Sequence, residues 1–140
     1  DINLDGWNLH RAAQENKVDI ARALIARGDD VDAQNNTGET PLSFAARENS
    51  LEVAQLLIEH GANLNAGSDI GCTPLHYGAF KNSHDVAQLL IKHGAEVDAK
   101  TDLGNTPLSF AASKKSREVT QLLRVQGANT NGIDLSWMED

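Results

Sequence analysis

The stretch GCTPLHYGAF, residues 71–80, decides the fold because it recurs in altered form elsewhere in the chain. GETPLSFAAR occupies residues 38–47 and GNTPLSFAAS occupies residues 104–113, so successive copies begin 33 residues apart. The same spacing relates four glycines, four leucines and three prolines: Gly28, Gly61, Gly94 and Gly127; Leu9, Leu42, Leu75 and Leu108; and Pro41, Pro74 and Pro107. A fixed period of this length indicates a repeat architecture.

Each repeat contains the signals for a turn and two helices, and residues 35–66 show them most clearly. NNTGET predicts a turn because Gly38 adopts positive φ without steric cost. Thr40 is suited to the N-cap of a helix and Pro41 to its first position. Asn49 is able to end this helix in the left-handed conformation, and Gly61 ends a second helix that runs through SLEVAQLLIEH.

Neither helix of a unit buries its apolar side alone, so the units are expected to stack on one another. Alanines at the same place in the first helices allow a close approach between neighbouring units; they are Ala45, Ala46, Ala111 and Ala112. Leu57 and Leu90 lie on the apolar side of the second helices. We therefore predict that both leucines belong to the core.

The motif TPLHYGA, residues 73–79, resembles the T-P-L-H-x-A signature of the ankyrin repeat and departs from it at Gly78. TPLSFAA, at residues 40–46 and 106–112, has serine in place of the histidine. The resemblance covers residues 6–131 and implies an all-α solenoid of stacked helix-turn-helix units with β-turn fingers. It also implies that His10 and His76 form hydrogen bonds with neighbouring turn backbone.

The irregular ends of the repeat suggest where the stack is capped. The first unit has Asn8 where later units have proline, and the last has Arg124 and Thr130 at positions that are apolar in its siblings. We divide the chain into a capping repeat (1–34), two inner repeats (35–67 and 68–100), a second capping repeat (101–131) and a tail (132–140). Ile133, Leu135 and Trp137 are expected to fold back on the last helices, a free or partner-binding tail being the alternative.

Composition disfavours several classes of function. The 20 acidic residues outnumber the 12 Lys and Arg residues, giving a net charge of −8 that repels nucleic acid and anionic membranes. This charge serves solubility or steers a basic partner. The longest apolar runs are too short for a transmembrane helix. The single cysteine, Cys72, favours a reducing compartment, so we expect a cytoplasmic protein. We also expect it to be a monomer.

The sequence offers no convincing active site, and we expect neither an enzyme nor a metal or cofactor. His60 and His93 precede glycines at helix ends, where histidine stabilises the helix C-terminus. Cys72 has no base or cation nearby in sequence. Four carboxylates are in register at the starts of the second helices and fit helix stabilisation rather than acid–base catalysis; they are Asp19, Glu52, Asp85 and Glu118.

The aromatic residues of the first helices indicate a binding face. Phe44, Tyr77 and Phe110 share one repeat position, and Phe80 follows Tyr77 on the same helical face. Phe80 is apolar where its siblings are Gln14, Arg47 and Ser113. The alternative is that the aromatic row packs between adjacent first helices. The ankyrin resemblance implies a concave binding surface, for which we predict these residues: Phe44, Arg47, Glu48, Ile70, Cys72, Tyr77, Phe80, Lys81, Leu103, Phe110 and Lys114.

The function that these observations favour is a protein-binding module with an apolar centre and an acidic rim on its concave face. Two alternatives stay open at this point: a structural spacer or scaffold within a larger protein, and an inhibitor or effector that blocks a site on its partner. Loss of one saturable partner on mutation of Phe80 distinguishes a binding module from a spacer.

Overall fold

The computed structural model describes residues 2–139. They form eight α-helices and one short 3-10 helix, in this order: α1 Leu9–Gln14, α2 Val18–Ala26, α3 Pro41–Glu48, α4 Leu51–Glu59, α5 Pro74–Phe80, α6 His84–Lys92, α7 Pro107–Ser113, α8 Arg117–Val125 and the 3-10 helix Ser136–Met138. The predicted all-α fold is confirmed. Asp1 and Asp140, the outermost residues of the predicted first unit and of the tail, lie outside the described residues.

The helices form two layers. The inner helices α1, α3, α5 and α7 pack successively on one another, and the outer helices α2, α4, α6 and α8 do the same behind them. Each inner helix also packs against the outer helix that follows it in sequence. The result is a stack of four helix pairs, while the unit boundaries chosen above stay predictions. None of the helices within residues 2–139 is long and apolar enough to cross a membrane.

The predicted local signals act as expected in α3. The Thr40 hydroxyl accepts a hydrogen bond from the Ser43 amide at 3.3 Å, and Pro41 is the first helical residue. Asn49 ends the helix with φ 55°, in the left-handed region. Thr73 and Thr106 likewise begin α5 and α7, each followed by proline, whereas α1 begins after Asn8 without one.

The core runs through the whole stack between the two layers. Leu57 and Leu90 of the outer layer are fully buried, which confirms the core prediction. Leu42, Leu75 and Leu108 of the inner layer are no more than 1% exposed. Ala45 and Ala46 are also fully buried, so neighbouring inner helices are close enough to exclude water.

An asparagine ladder ties each helix pair to the next. Three asparagines at inner-to-outer helix turns have φ of 53–55°; they are Asn16, Asn49 and Asn82. Their side-chain oxygens accept hydrogen bonds at 3.0–3.2 Å from amides at the start of the next outer helix, those of Val53, Val86 and Val119. Their side-chain amides donate to Glu52, Asp85 and Glu118. Three of the four in-register carboxylates therefore connect repeats, whereas Asp19 pairs with Arg22 of its own helix.

The β-turn fingers, at residues 35–39, 68–72 and 101–105, are also connected. The Asp69 amide donates to the Thr37 carbonyl and the Asp102 amide to the Ile70 carbonyl, both at 3.0 Å. Each finger is closed by a bond within it, for example from the Ser68 amide to the Cys72 carbonyl at 2.9 Å. The fingers thus extend the inner layer as a continuous edge of the stack.

The C-terminal tail folds back over the last helix pair, as expected. Ile133 packs against the core, and Trp137 is half-buried. The Arg117 guanidinium donates to the Trp137 and Met138 carbonyls, each at 3.3 Å. Arg124 is exposed, whereas its siblings Ile25, Ile58 and Ile91 are half-buried against the core.

Candidate functional site

The aromatic row is partly a packing feature and partly a surface. Phe44, Tyr77 and Phe110 are all half-buried on the inner helices. The Phe44 ring meets His10 edge-on with centroids 5.2 Å apart, and Phe110 meets His76 in the same way at 5.4 Å. Phe44 and Phe110 thus pack against the preceding unit, as the alternative interpretation expects, but all three rings stay partly exposed.

The signature histidines connect inner helices to the next finger. His10 Nε2 lies 2.8 Å from the Glu39 carbonyl oxygen, and His76 Nε2 lies 2.9 Å from that of Asn105. His76 Nδ1 accepts a hydrogen bond from the Thr73 amide at 3.0 Å, so its proton resides on Nε2. These are the turn-backbone bonds that the family resemblance implied. Burial lowers the pKa of His76 against the opposing effect of its carbonyl partners, Asn105 and Ala99.

Arg47 is committed to contacts within the chain. Its guanidinium carbon lies 4.3 Å from the centroid of Phe44 and 5.5 Å from that of Tyr77. Its Nη1 is 3.7 Å from Glu39 Oε2. Such a sandwich of cation and rings restricts the side chain before any partner arrives.

Glu39 and Tyr77, which form one cluster with Phe44 and Arg47, have shifted pKa values. Burial opposes ionisation of Glu39, but hydrogen bonds from Asn35, Tyr77 and Thr37 and the Arg47 charge outweigh it and lower the pKa of Glu39. Burial is the main cause that raises the pKa of Tyr77 to about 12, and the Glu39 charge adds to it. At neutral pH the cluster therefore contains an ionised carboxylate and a protonated phenol.

Phe80 is the most exposed ring of the inner helices. Its side chain is 45% exposed, and its ring centroid lies 6.2 Å from that of Phe110 in an edge-on arrangement. The Lys114 ammonium lies 4.7 Å from the Phe80 centroid. The ring is thus supported from the neighbouring helix and remains accessible to solvent, as a partner contact requires.

The finger tips provide a second exposed apolar group. Ile70 is 63% exposed and Leu103 is 90% exposed, both at the equivalent tip position. Asp69 and Asp102 precede them and are exposed. The predicted acidic rim therefore exists at the fingers.

Cys72 requires a correction. We predicted that it contributes to the partner surface beside the finger tip, but its side chain is only 3% exposed. The neighbouring tip residue Ile70 is exposed because it lies at the outermost point of the turn, whereas Cys72 lies at the base, where the finger joins α5. Burial raises the pKa of the thiol, so it stays protonated and unreactive at neutral pH.

Around Phe80 the surface is basic, so the acidic rim predicted beside the finger tips does not extend to this part of the site. An open depression of about 380 Å³ is lined by Phe80, Lys81, Asn82, Lys114, Lys115 and Ser116. Sequence reasoning selected Lys81 and Lys114 and missed Lys115. The sequence does contain a signal for Lys115, because a lysine stands there at the repeat position that is asparagine in the other units: Asn16, Asn49 and Asn82. Glu48, also predicted for the surface, is exposed one repeat before Lys81.

Comparison with known proteins agrees with the fold. A family model described as ankyrin repeats, in three copies, matches residues 9–101 and 69–134. The two ranges together cover well over half of the chain, and the chain therefore belongs to the ankyrin repeat family. A comparison with curated proteins gave no significant match. Ankyrin repeats are generally protein-interaction modules and are typically non-enzymatic.

Proposed function

We propose that this chain binds a protein partner through the concave surface formed by its inner helices and fingers. The observation that carries the proposal is the exposure of Phe80 at a repeat position where Gln14, Arg47 and Ser113 are polar. The ring contacts Phe110 and Lys114, but its exposed part contributes nothing to folding in water. That part gains free energy when a partner covers it, because buried aromatic anchors dominate binding energy.

The surface has the composition of a protein interface. Phe80 and the tip residues Ile70 and Leu103 supply apolar area, and charged groups surround both. A standard interface needs about 800 Å² on each partner, an area that the concave side of several repeats provides. Arg47 and the aromatic row are already ordered by contacts within the chain, which lowers the entropic cost of binding.

Catalysis is not part of the proposed function. The Cys72 thiol is buried with a raised pKa, and His76 uses both ring nitrogens in structural hydrogen bonds. Among residues 2–139, no group of three His, Cys, Asp or Glu side chains is placed to hold a metal ion. We expect a reducing compartment, because Cys72 is the only cysteine and no internal disulfide is able to form.

The experiment is quantitative capture of partners from cells that express the chain natively, with wild-type protein and the Phe80→Ala variant. Truncation of a buried aromatic anchor often costs about 2 kcal/mol of binding, which corresponds to about thirtyfold in affinity. We therefore expect Phe80→Ala to lose the specific partner while its thermal unfolding stays unchanged.

Val125→Ala is the matched control, because Val125 is also an exposed apolar side chain, 70% exposed, but on an outer helix. It should capture the partner as the wild type does. A partner retained equally by Phe80→Ala would refute the concave site, and a large loss of stability in that variant would show that the ring belongs to the core. Absence of any saturable partner would favour the spacer instead.

A further inference from the structure

We infer that the third and fourth helix pairs receive an acidic segment of the partner, with an apolar side chain of that segment placed on Phe80. This inference rests on the proposed function and specifies its chemistry. Its basis is a cluster of lysines around an exposed ring, in a chain whose net charge is −8.

The lysines of this cluster are available to a ligand. Lys81, Lys114 and Lys115 are exposed, and none of them forms an ion pair with a carboxylate within residues 2–139. Lys114 lies over the Phe80 ring, so one ligand group is able to contact ring and ammonium together. Lys115 also acts on Asp134, whose pKa is lowered mainly by Ser136 and further by the Lys115 charge. Lys81 and Lys114 are therefore the principal positive groups.

The charge at this edge changes sign along the stack. One repeat position is occupied in turn by Glu15, Glu48, Lys81 and Lys114. In the first half, Glu15 pairs with Arg11 at 3.0 Å, and Glu48 is exposed and forms no ion pair within residues 2–139. An acidic segment is consequently attracted to the second half and repelled from the Glu48 position, which sets its place on the surface.

The backbone at Lys115 supports a role outside folding. Lys115 has φ 54°, a left-handed conformation that is unfavourable for lysine and tolerated by the asparagines of the equivalent positions. In those positions the asparagine side chain bonds to the next outer helix. Within residues 2–139 no outer helix follows α8, and Lys115 forms no ladder bond there; its side chain adds charge to the depression beside Phe80.

A protein segment fits this surface better than a nucleic acid. The depression combines an apolar ring with two or three charges, whereas a phosphate backbone needs an extended basic track. The fingers, at the opposite edge of the inner layer, are acidic through Asp69 and Asp102, and they oppose a polyanion that extends across the surface beyond the lysines. A short peptide with acidic and apolar residues contacts Phe80 and the lysines without reaching the acidic fingers.

The test is selection of random displayed peptides on the full wild-type chain, followed by affinity measurement with synthetic copies of the enriched peptides. Selected peptides should carry excess Asp and Glu beside one apolar residue. Their affinity should fall at least about tenfold for the double variant Lys81→Glu with Lys114→Glu, and it should weaken with added salt. A single-stranded oligonucleotide of matched charge should not compete with them.

The control is the double variant Lys92→Glu with Arg124→Glu, which makes the same change in net charge on the outer helices α6 and α8. It should bind the peptides as the wild type does. Circular dichroism of both double variants checks that they are folded. Equal losses in the two double variants would overturn the inference, because the effect would then come from net charge.

The outcomes also separate this inference from the proposed function. Peptides that need Phe80 but show no acidic excess would overturn the acidic ligand and leave the concave site intact. Peptides that bind Phe80→Ala as well as wild type would count against both. Effective competition by the oligonucleotide would replace the acidic peptide with a nucleic acid.

Discussion

At the residue scale, Gly78 is the departure from the ankyrin signature with a clear physical consequence. Its equivalents Ala12, Ala45 and Ala111 are all fully buried in inner helices. A methyl group built at Gly78 would lie 3.8 Å from the Ala87 methyl and 3.9 Å from that of Ala46, which are ordinary van der Waals distances. The site therefore accepts alanine without displacement, and glycine only weakens the helix.

Gly78→Ala should raise the free energy of unfolding by about 0.5–1 kcal/mol, because alanine loses less backbone entropy in a helix. Urea unfolding measures the difference. Gly71→Ala is the contrasting variant, since Gly71 has φ 82° and a methyl there would lie 2.8 Å from Asp102 Oδ1. It should destabilise the chain. A Gly78→Ala protein less stable than wild type would mean that the inner helices pack more tightly than described.

At the element scale, the short helices depend on contacts with their neighbours. Helices of six to nine residues are too short to be stable alone in water. The ladder asparagines stabilise the short helices in two ways. Each lies at the end of an inner helix in the left-handed conformation, and its side chain accepts a hydrogen bond from an amide at the start of the next outer helix. One side chain thereby sets both the turn within a pair and the spacing between pairs.

Asn82→Ala should lower the free energy of unfolding by about 1–3 kcal/mol, because it combines an unfavourable left-handed alanine with the loss of the acceptor for the Val119 amide. Asn82→Gly removes the same side-chain hydrogen bonds, with Val119 and Glu118, but tolerates the left-handed backbone and should cost less. The difference between the two variants in denaturant unfolding measures the backbone part. Equal stability of Asn82→Gly and wild type would show that the ladder bond contributes nothing net.

At the scale of the whole molecule, each helix pair contacts only its neighbours, so stability is distributed along the stack. The inner layer carries acidic fingers at one edge and, in its second half, lysines at the other. His76 is fully buried and connects α5 to the next finger through its hydrogen bond with the Asn105 carbonyl. Its protonation state therefore affects the unfolding of the stack.

The pKa of folded His76 is lowered from its ordinary value of 6.5, so the unfolded chain binds this proton more readily. The corresponding stability is present above pH 6.5 and is lost as pH falls through the folded pKa. His76→Ser, with the residue found at Ser43 and Ser109, should be less stable than wild type at neutral pH but less sensitive to acid. The slopes should differ by at most about 1.4 kcal/mol per pH unit. Denaturant unfolding at several pH values measures them, and identical slopes would contradict the assignment.

The features that the sequence determined by itself are local or periodic. Thr40, Pro41 and Asn49 specify the limits of α3 through their own backbone preferences and capping bonds. The burial of Leu57 and Leu90 followed from the helical pattern repeated in phase. Such properties depend on a few adjacent residues or on the repeat period, and both can be identified directly in the amino-acid sequence.

The features that only the tertiary structure decided depend on side chains from different repeats. Burial of Cys72 at a finger base, the position of Arg47 between two rings and the lysine cluster around Phe80 all arise across the contacts between neighbouring units. Sequence analysis identified most members of the candidate site, because the period placed them on one face. It did not establish the sign of the charge around Phe80. That sign depends on the distance between Lys114 at the end of α7 and Phe80 at the end of α5, which only the stacking of the two helices determines.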